Sequence, residues 1–86
     1  MSRRFAFVYF MKDDPEHVRA TVGGHVSHWQ GLCLNGYVGG PFEDRSGGLI
    51  IFEAEDEERA GSAVSSDPFV VDGLLEAYWL KRWIPE

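Results

Sequence analysis

The sequence predicts an α+β sandwich in which four strands and two helices follow the order βαββαβ, and three observations carry that prediction. The runs at 5–11 and 49–54 are aromatic or β-branched and apolar on both alternating faces, the pattern of strands covered on two sides. Two helix starts follow such runs, one at Asp14-Pro15 and one at Asp56 with acids in its first turn. The chain has 86 residues, which is one domain over 1–86 with a single core.

Strand one, at 5–11, sets Phe5, Phe7, Tyr9 and Met11 on one face and Ala6, Val8 and Phe10 on the other. A helix follows with Asp14 as cap and Pro15 at its first position. Its apolar residues, Val18, Val22, Val26, Trp29 and Cys33 with Leu32 alongside, fall at helical spacing, and Asn35-Gly36 supplies the stop. Gly23-Gly24 interrupts this pattern, each glycine costing up to about 1 kcal/mol in a helix, so a break or fresh start is expected there. The stretch at 37–42 is a strand spoiled by Gly39, Gly40 and Pro41, hence an edge or a bulge. After a polar turn at 43–46, the strand at 49–54 is expected to be central. Asp56 then caps a shorter helix that ends at Asp67-Pro68, because proline pushes the residue before it out of the α region. A last strand at 75–84 closes the order, the split βαβ arrangement called ferredoxin-like. Right-handed crossovers put both helices on one face of the sheet.

That leaves the other face apolar and uncovered. Burying it is worth about 25 cal/mol per Å², so a homodimer pairing sheet against sheet is expected. The balance of 14 acidic against 8 basic residues gives a net charge of −6, which opposes nucleic acid and anionic membranes as partners. Arg3-Arg4 and the apolar run behind them imitate a secretory signal, but the run is too short and lacks a small-residue cleavage site. No run approaches the length of a membrane span. Cys33 is the only cysteine, which fits a reducing compartment, and cytoplasm is the expectation.

Chemistry concentrates on two residues. His25 shares the apolar stripe with Val22 and Trp29, and Asp67 closes the second helix. The two helices run antiparallel, so a helix restarting at Gly23-Gly24 brings His25 to the end where Asp67 lies. An unbroken helix from Pro15 places His25 ten residues in, about 15 Å along the axis, and out of reach. An aspartate on one imidazole nitrogen fixes the tautomer and raises the basicity of the other, as a general base or acid requires. The plain alternatives are a satisfied core histidine and an Asp67 that only caps a turn. His28, Trp29 and Ser46 are auxiliary candidates, His28 as a second proton carrier. A metal reading pairs His25 and His28 with Asp67, Asp72 or Cys33, without a motif for the remaining ligands. Neither Gly39-Gly40-Pro41 nor Ser46-Gly47-Gly48 precedes a helix as a phosphate loop must. Cys33 looks like packing, and the acids at 53–58 like a solvated helix start. Tyr9, Phe42, Trp29 and Trp79 offer aromatic walls for a planar ligand, although core packing accounts for most of them.

Four stretches, His25-Val26-Ser27-His28-Trp29, Gly39-Gly40-Pro41-Phe42, the strand from Gly48 to Glu55, and Asp67-Pro68-Phe69-Val70 with Gly73-Leu74, stand in the order of the YciI-like (YCII-related) family, which the chain resembles over nearly its whole length. The resemblance implies a ferredoxin-like dimeric α+β barrel with an active site of a helix-1 histidine and the Asp-Pro aspartate, here His25 and Asp67. It also implies dehydrohalogenase, lyase or isomerase chemistry on a small cyclic or aromatic compound, without metal or organic cofactor. His28-Trp29 departs from the family's usual pattern. Two functions follow as expectations: a cofactor-independent acid/base enzyme, or a non-catalytic dimer that binds a small molecule or serves as an accessory protein.

Overall fold

The computed structural model describes residues 2–86. The elements are β1 (Arg3–Met11), α1 (Pro15–Gly31), β2 (Val38–Pro41), β3 (Gly47–Ala54), α2 (Glu57–Ser65), a single turn α3 (Pro68–Val71) and β4 (Leu75–Arg82). The sheet has the order β2-β3-β1-β4 with every pair antiparallel, a ferredoxin-like α+β fold. As expected, β2 is an edge and β3 is central. Both outer crossovers carry their helices to one face.

The register separates the two faces. Phe5 lies opposite Phe52, Phe7 between Ile50 and Leu80, and Tyr9 between Gly48 and Tyr78, and this inward row packs beneath the helices. Trp29 from α1 completes the core against Phe7 and Phe52, with ring centroids 5.9 and 5.1 Å apart. The outward row sets Val8 between Leu49 and Trp79, with Phe10 and Val38 nearby, and no helix lies over it.

Glycine decides one crossing that positions the site. A Cβ at Gly48 would collide with the Tyr9 hydroxyl, so the absence of a side chain there lets the Tyr9 ring lie across β3.

Five local expectations are corrected. First, α1 runs unbroken through Gly23-Gly24. The propensity cost of two glycines is outweighed by burial of His25 and Trp29 on the helix's inner face, an instance of packing overriding propensity. Second, α1 ends at Gly31 rather than at Asn35-Gly36, because Cys33 already turns left-handed at φ 51°. Third, Cys33 is exposed rather than packed. Fourth, the Asp14 side chain makes no cap hydrogen bond, and its backbone carbonyl alone receives Val18 N–H at 3.0 Å. Asp56 does cap α2, accepting from Arg59 N–H at 2.8 Å. Fifth, the final strand stops at Arg82, two residues short of the expected 84.

Candidate functional site

The unbroken helix should have kept His25 from Asp67, yet the two are bonded. The reason is the difference in helix length: α2 has 9 residues against 17 in α1. Running antiparallel from the far end of α1, it stops opposite the middle of its partner instead of the beginning. His28 Nε2 donates to the Ala63 carbonyl at 2.7 Å and pins that alignment. Four residues beyond Ala63 the chain reaches Asp67, one turn before His28 on α1 it reaches His25, and the pair meets mid-helix. The helix passes close to the Asp-Pro turn at Gly24, where a Cβ would make an ordinary contact with Pro68 Cγ at 3.6 Å.

Asp67 is fully buried, in the extended conformation its proline imposes (φ −63°, ψ 128°), and caps α3 by accepting from Phe69 N–H at 2.9 Å. The same carboxylate accepts from Trp29 Nε1–H at 2.9 Å and from His25 Nδ1–H at 2.8 Å. Three donors, two from α1 and one from α3, thus converge on one buried acid, as a buried charge requires. Capping and histidine orientation are one arrangement.

A carboxylate only accepts, so the neutral His25 ring carries its proton on Nδ1 and leaves the Nε2 lone pair free to accept. The Tyr9 hydroxyl lies 3.3 Å from Nε2. Burial, the Asp67 charge and Tyr37 push the Tyr9 hydroxyl up from 10.0 to about 12, so it keeps its proton and acts as donor. Phe69 stacks under the imidazole at 4.1 Å between centroids and 14° between planes, holding the ring's orientation from the second side. The result is a chain Tyr9–His25–Asp67–Trp29 whose members come from β1, α1 and the α2–α3 junction.

His25 and Tyr9 form part of the wall of a cavity of about 260 Å³ between α1 and the β2–β3 hairpin. Val22 and Val26, exposed to solvent, are members of this wall rather than of the core. That corrects the single stripe drawn through α1: its inner edge, His25 and Trp29, is buried, while the valines face the opening. The remaining polar groups in the wall are Gln30, Tyr37 and Arg45.

Among the other sequence candidates, Trp29 holds Asp67 from behind and does not reach the cavity. His28 is fixed to Ala63 and is also absent from the wall. Ser46 is turned away, its hydroxyl and N–H donating to Asp44 at 2.6 and 3.0 Å, which holds the Asp44 carboxyl below the usual carboxylate range. Of the four aromatics considered for a planar ligand, only Tyr9 is in the wall. Among the described residues no group of three or more His, Cys, Asp or Glu is placed to hold a metal ion. Arg45 and Phe69 went unnoticed as site residues. Alternation along β1 put Tyr9 on the inward face, and its register with Gly48 was the signal that would have placed its hydroxyl.

Among solved structures the chain is similar to 5-chloro-2-hydroxyhydroquinone dehydrochlorinase (TftG) from Burkholderia phenoliruptrix AC1100, in complex with 2,5-dihydroxybenzoquinone. The TM-score is 0.81 at 25% identity, covering 94% of this chain and 93% of that one. Rv0793 from Mycobacterium tuberculosis (TM-score 0.58, 11% identity, 100% and 98% covered) and SnoaB from Streptomyces nogalater, a cofactor-independent oxygenase (0.51, 12%, 99% and 95%), share the fold. A search of curated proteins finds no match. The family model of the YCII-related domain matches residues 5–84, in agreement with the order of motifs along the chain, and the chain belongs to that family.

Proposed function

We propose that the protein is a cofactor-independent acid/base enzyme of the lyase, dehydrohalogenase or isomerase type, acting on a small cyclic or aromatic compound. The observation that carries this reading is an aspartate-oriented His25 in the wall of a cavity of about 260 Å³, its Nε2 met by the Tyr9 hydroxyl at 3.3 Å. That volume suits a single substituted ring, being larger than the cavity of about 150 Å³ that holds benzene. The largely apolar wall with a few polar groups is the usual composition of a small-molecule site.

His25 Nε2 takes a proton from a ring hydroxyl or ring C–H of the bound compound, and Asp67 stabilises the imidazolium formed. In an elimination, the ring reacts as its keto tautomer, in which the carbon bearing the leaving group is tetrahedral, and the electron pair released by that bond passes into the ring and expels the leaving group as its anion, so charge and atoms balance. For this the Tyr9 hydroxyl turns from Nε2 to a substrate oxygen as the compound binds, which bares the Nε2 lone pair before it takes the proton. The name of TftG, a dehydrochlorinase, supports elimination of halide from a hydroxylated ring as the first reaction to try. A measurable outcome is halide release from chlorinated hydroquinones. The wild type should turn one over, and His25→Asn should lose about 10²- to 10⁴-fold in kcat. Activity unchanged in His25→Asn would remove the reading.

A second reading is a non-catalytic binding or accessory protein. It is favoured by the completeness of the hydrogen bonding, since among the described residues no buried side-chain polar atom lacks a partner. That is also how a purely structural histidine looks.

The homodimer belongs here too. The outward sheet face carries Val8, Phe10, Val38, Leu49 and Trp79 without a covering layer, and pairing two such faces would complete an α+β barrel. No helix of the described residues is long and apolar enough to cross a membrane. A single exposed thiol fits a reducing, cytoplasmic setting.

A further inference from the structure

The wall of the cavity is selective in charge. The chain carries 14 acidic residues, yet none of them is in the wall, and its one fixed charge is the guanidinium of Arg45. Asp67, the nearest acid in function, stands behind His25 and is saturated by three donors. Arg45 also has no carboxylate partner among the described residues. Its neighbour Asp44 is engaged by Ser46, and the ion pairs of the other arginines involve Arg4 and Arg59.

The backbone adds a second, independent observation. Arg45 is held left-handed at φ 64°, closing the β2–β3 turn with its N–H on the Phe42 carbonyl at 2.9 Å. Glycine adopts that conformation freely, whereas a long side chain does so at a cost. An exposed turn that places a long cation at such a position, beside a cavity, points to a use for the side chain rather than for the turn.

We infer that Arg45 binds an acidic group on the ring compound that the cavity takes, so that the ligand is an anion, either a ring carboxylate or a ring with ionised enolic oxygens. Both present paired or conjugated oxygens that a guanidinium fork meets with two parallel hydrogen bonds. In a chain of net charge −6, a cavity wall free of carboxylates and tipped with one cation is the place where an anion meets attraction instead of repulsion. The anion also has a chemical use. Anchoring it at Arg45 turns the opposite part of the ring toward His25. This rests on the acid/base reading for the role of His25 but not for the binding itself.

The test is calorimetric titration of the wild type, Arg45→Gln, Arg45→Gly and His25→Asn with three single-ring probes: 2,5-dihydroxy-1,4-benzoquinone, whose enolic hydroxyls are ionised at neutral pH, benzoate, and uncharged hydroquinone. Urea melts accompany each variant. Arg45→Gly should be at least as stable as the wild type, since it relieves the positive φ, so a loss of affinity there is not a loss of fold. The expected result is binding of at least one anion by the wild type, weakened about 10- to 100-fold in both Arg45 variants, with hydroquinone affinity unchanged. Whichever anion shows the loss identifies the source of the charge. Equal affinity of wild type and Arg45 variants for both anions, or no binding of either anion by the wild type, overturns the inference. His25→Asn separates the two proposals. Arg45-dependent binding retained in His25→Asn, with no turnover by the wild type on any ring, removes the acid/base reading alone. Turnover with Arg45-independent binding removes this one alone.

Discussion

At the scale of single residues, Asp67 is the pivot of the site, with three donors and no freedom. Replacing it by Asn keeps the size but substitutes an N–H₂ for an acceptor, so one of the three donors is left facing another donor. Asp67→Asn is expected to lower stability by about 1–3 kcal/mol in urea unfolding, the range for a buried polar group left unpaired. Tyr9 gives a second, pH-dependent prediction. Its hydroxyl ionises at 10.0 in the unfolded chain and about 12 in the fold. The folded state holds the proton more tightly, so the contribution is complete below pH 10 and is lost as pH rises toward 12. Stability should therefore fall through that window, and Tyr9→Phe should flatten the fall, as read from urea midpoints at a series of alkaline pH values. His25 and Asp67 were each legible as candidates, an apolar stripe interrupted by one histidine and an acid fixed before a proline being visible in one dimension, but the helix restart expected to bring them together is absent. Arg45 was not, since nothing in a polar turn marks which of its side chains faces a cavity.

At the scale of elements, the sequence carried the strands well and the helix ends poorly. Alternation along β1 and β3 predicted both faces, and β2 was recognisable as an edge from Pro41. The glycines of α1 misled, because a propensity cost of about 1 kcal/mol each is visible in the sequence while the burial of Trp29 and His25 that outweighs it is not. The lengths of two helices, more than any break, decide where they meet. Gly23 is the clean test. A Cβ there meets nothing within 4 Å, so Gly23→Ala should raise stability by about 0.5–1 kcal/mol in urea unfolding while leaving the His25 environment unchanged. A destabilised variant would mean that α1 needs flexibility at this point after all.

At the scale of the whole molecule, the sheet is asymmetric: aromatic core under the helices on one side, uncovered apolar residues on the other. That asymmetry could be read from β1 alone, whose two faces are both apolar while two helices cover only one. What lies against the open face could not be read from one chain. A lysine on that face separates the possibilities. Trp79→Lys, at a site half exposed in the single chain, should cost the fold little yet convert a dimer to a monomer in sedimentation at micromolar concentration. A wild type already monomeric under those conditions would remove the sheet-to-sheet barrel while leaving the cavity intact, since its wall comes from one chain.

The central claim is that Asp67 holds His25 with its proton on Nδ1 and its lone pair at Nε2. Long-range proton–nitrogen NMR of ¹⁵N-labelled protein in mildly alkaline buffer reads that tautomer directly. The account predicts Nδ1 protonated and Nε2 bare in the wild type, with the preference weakened or reversed in Asp67→Asn. An Nε2-protonated ring in the wild type, or a tautomer indifferent to Asp67, would contradict it.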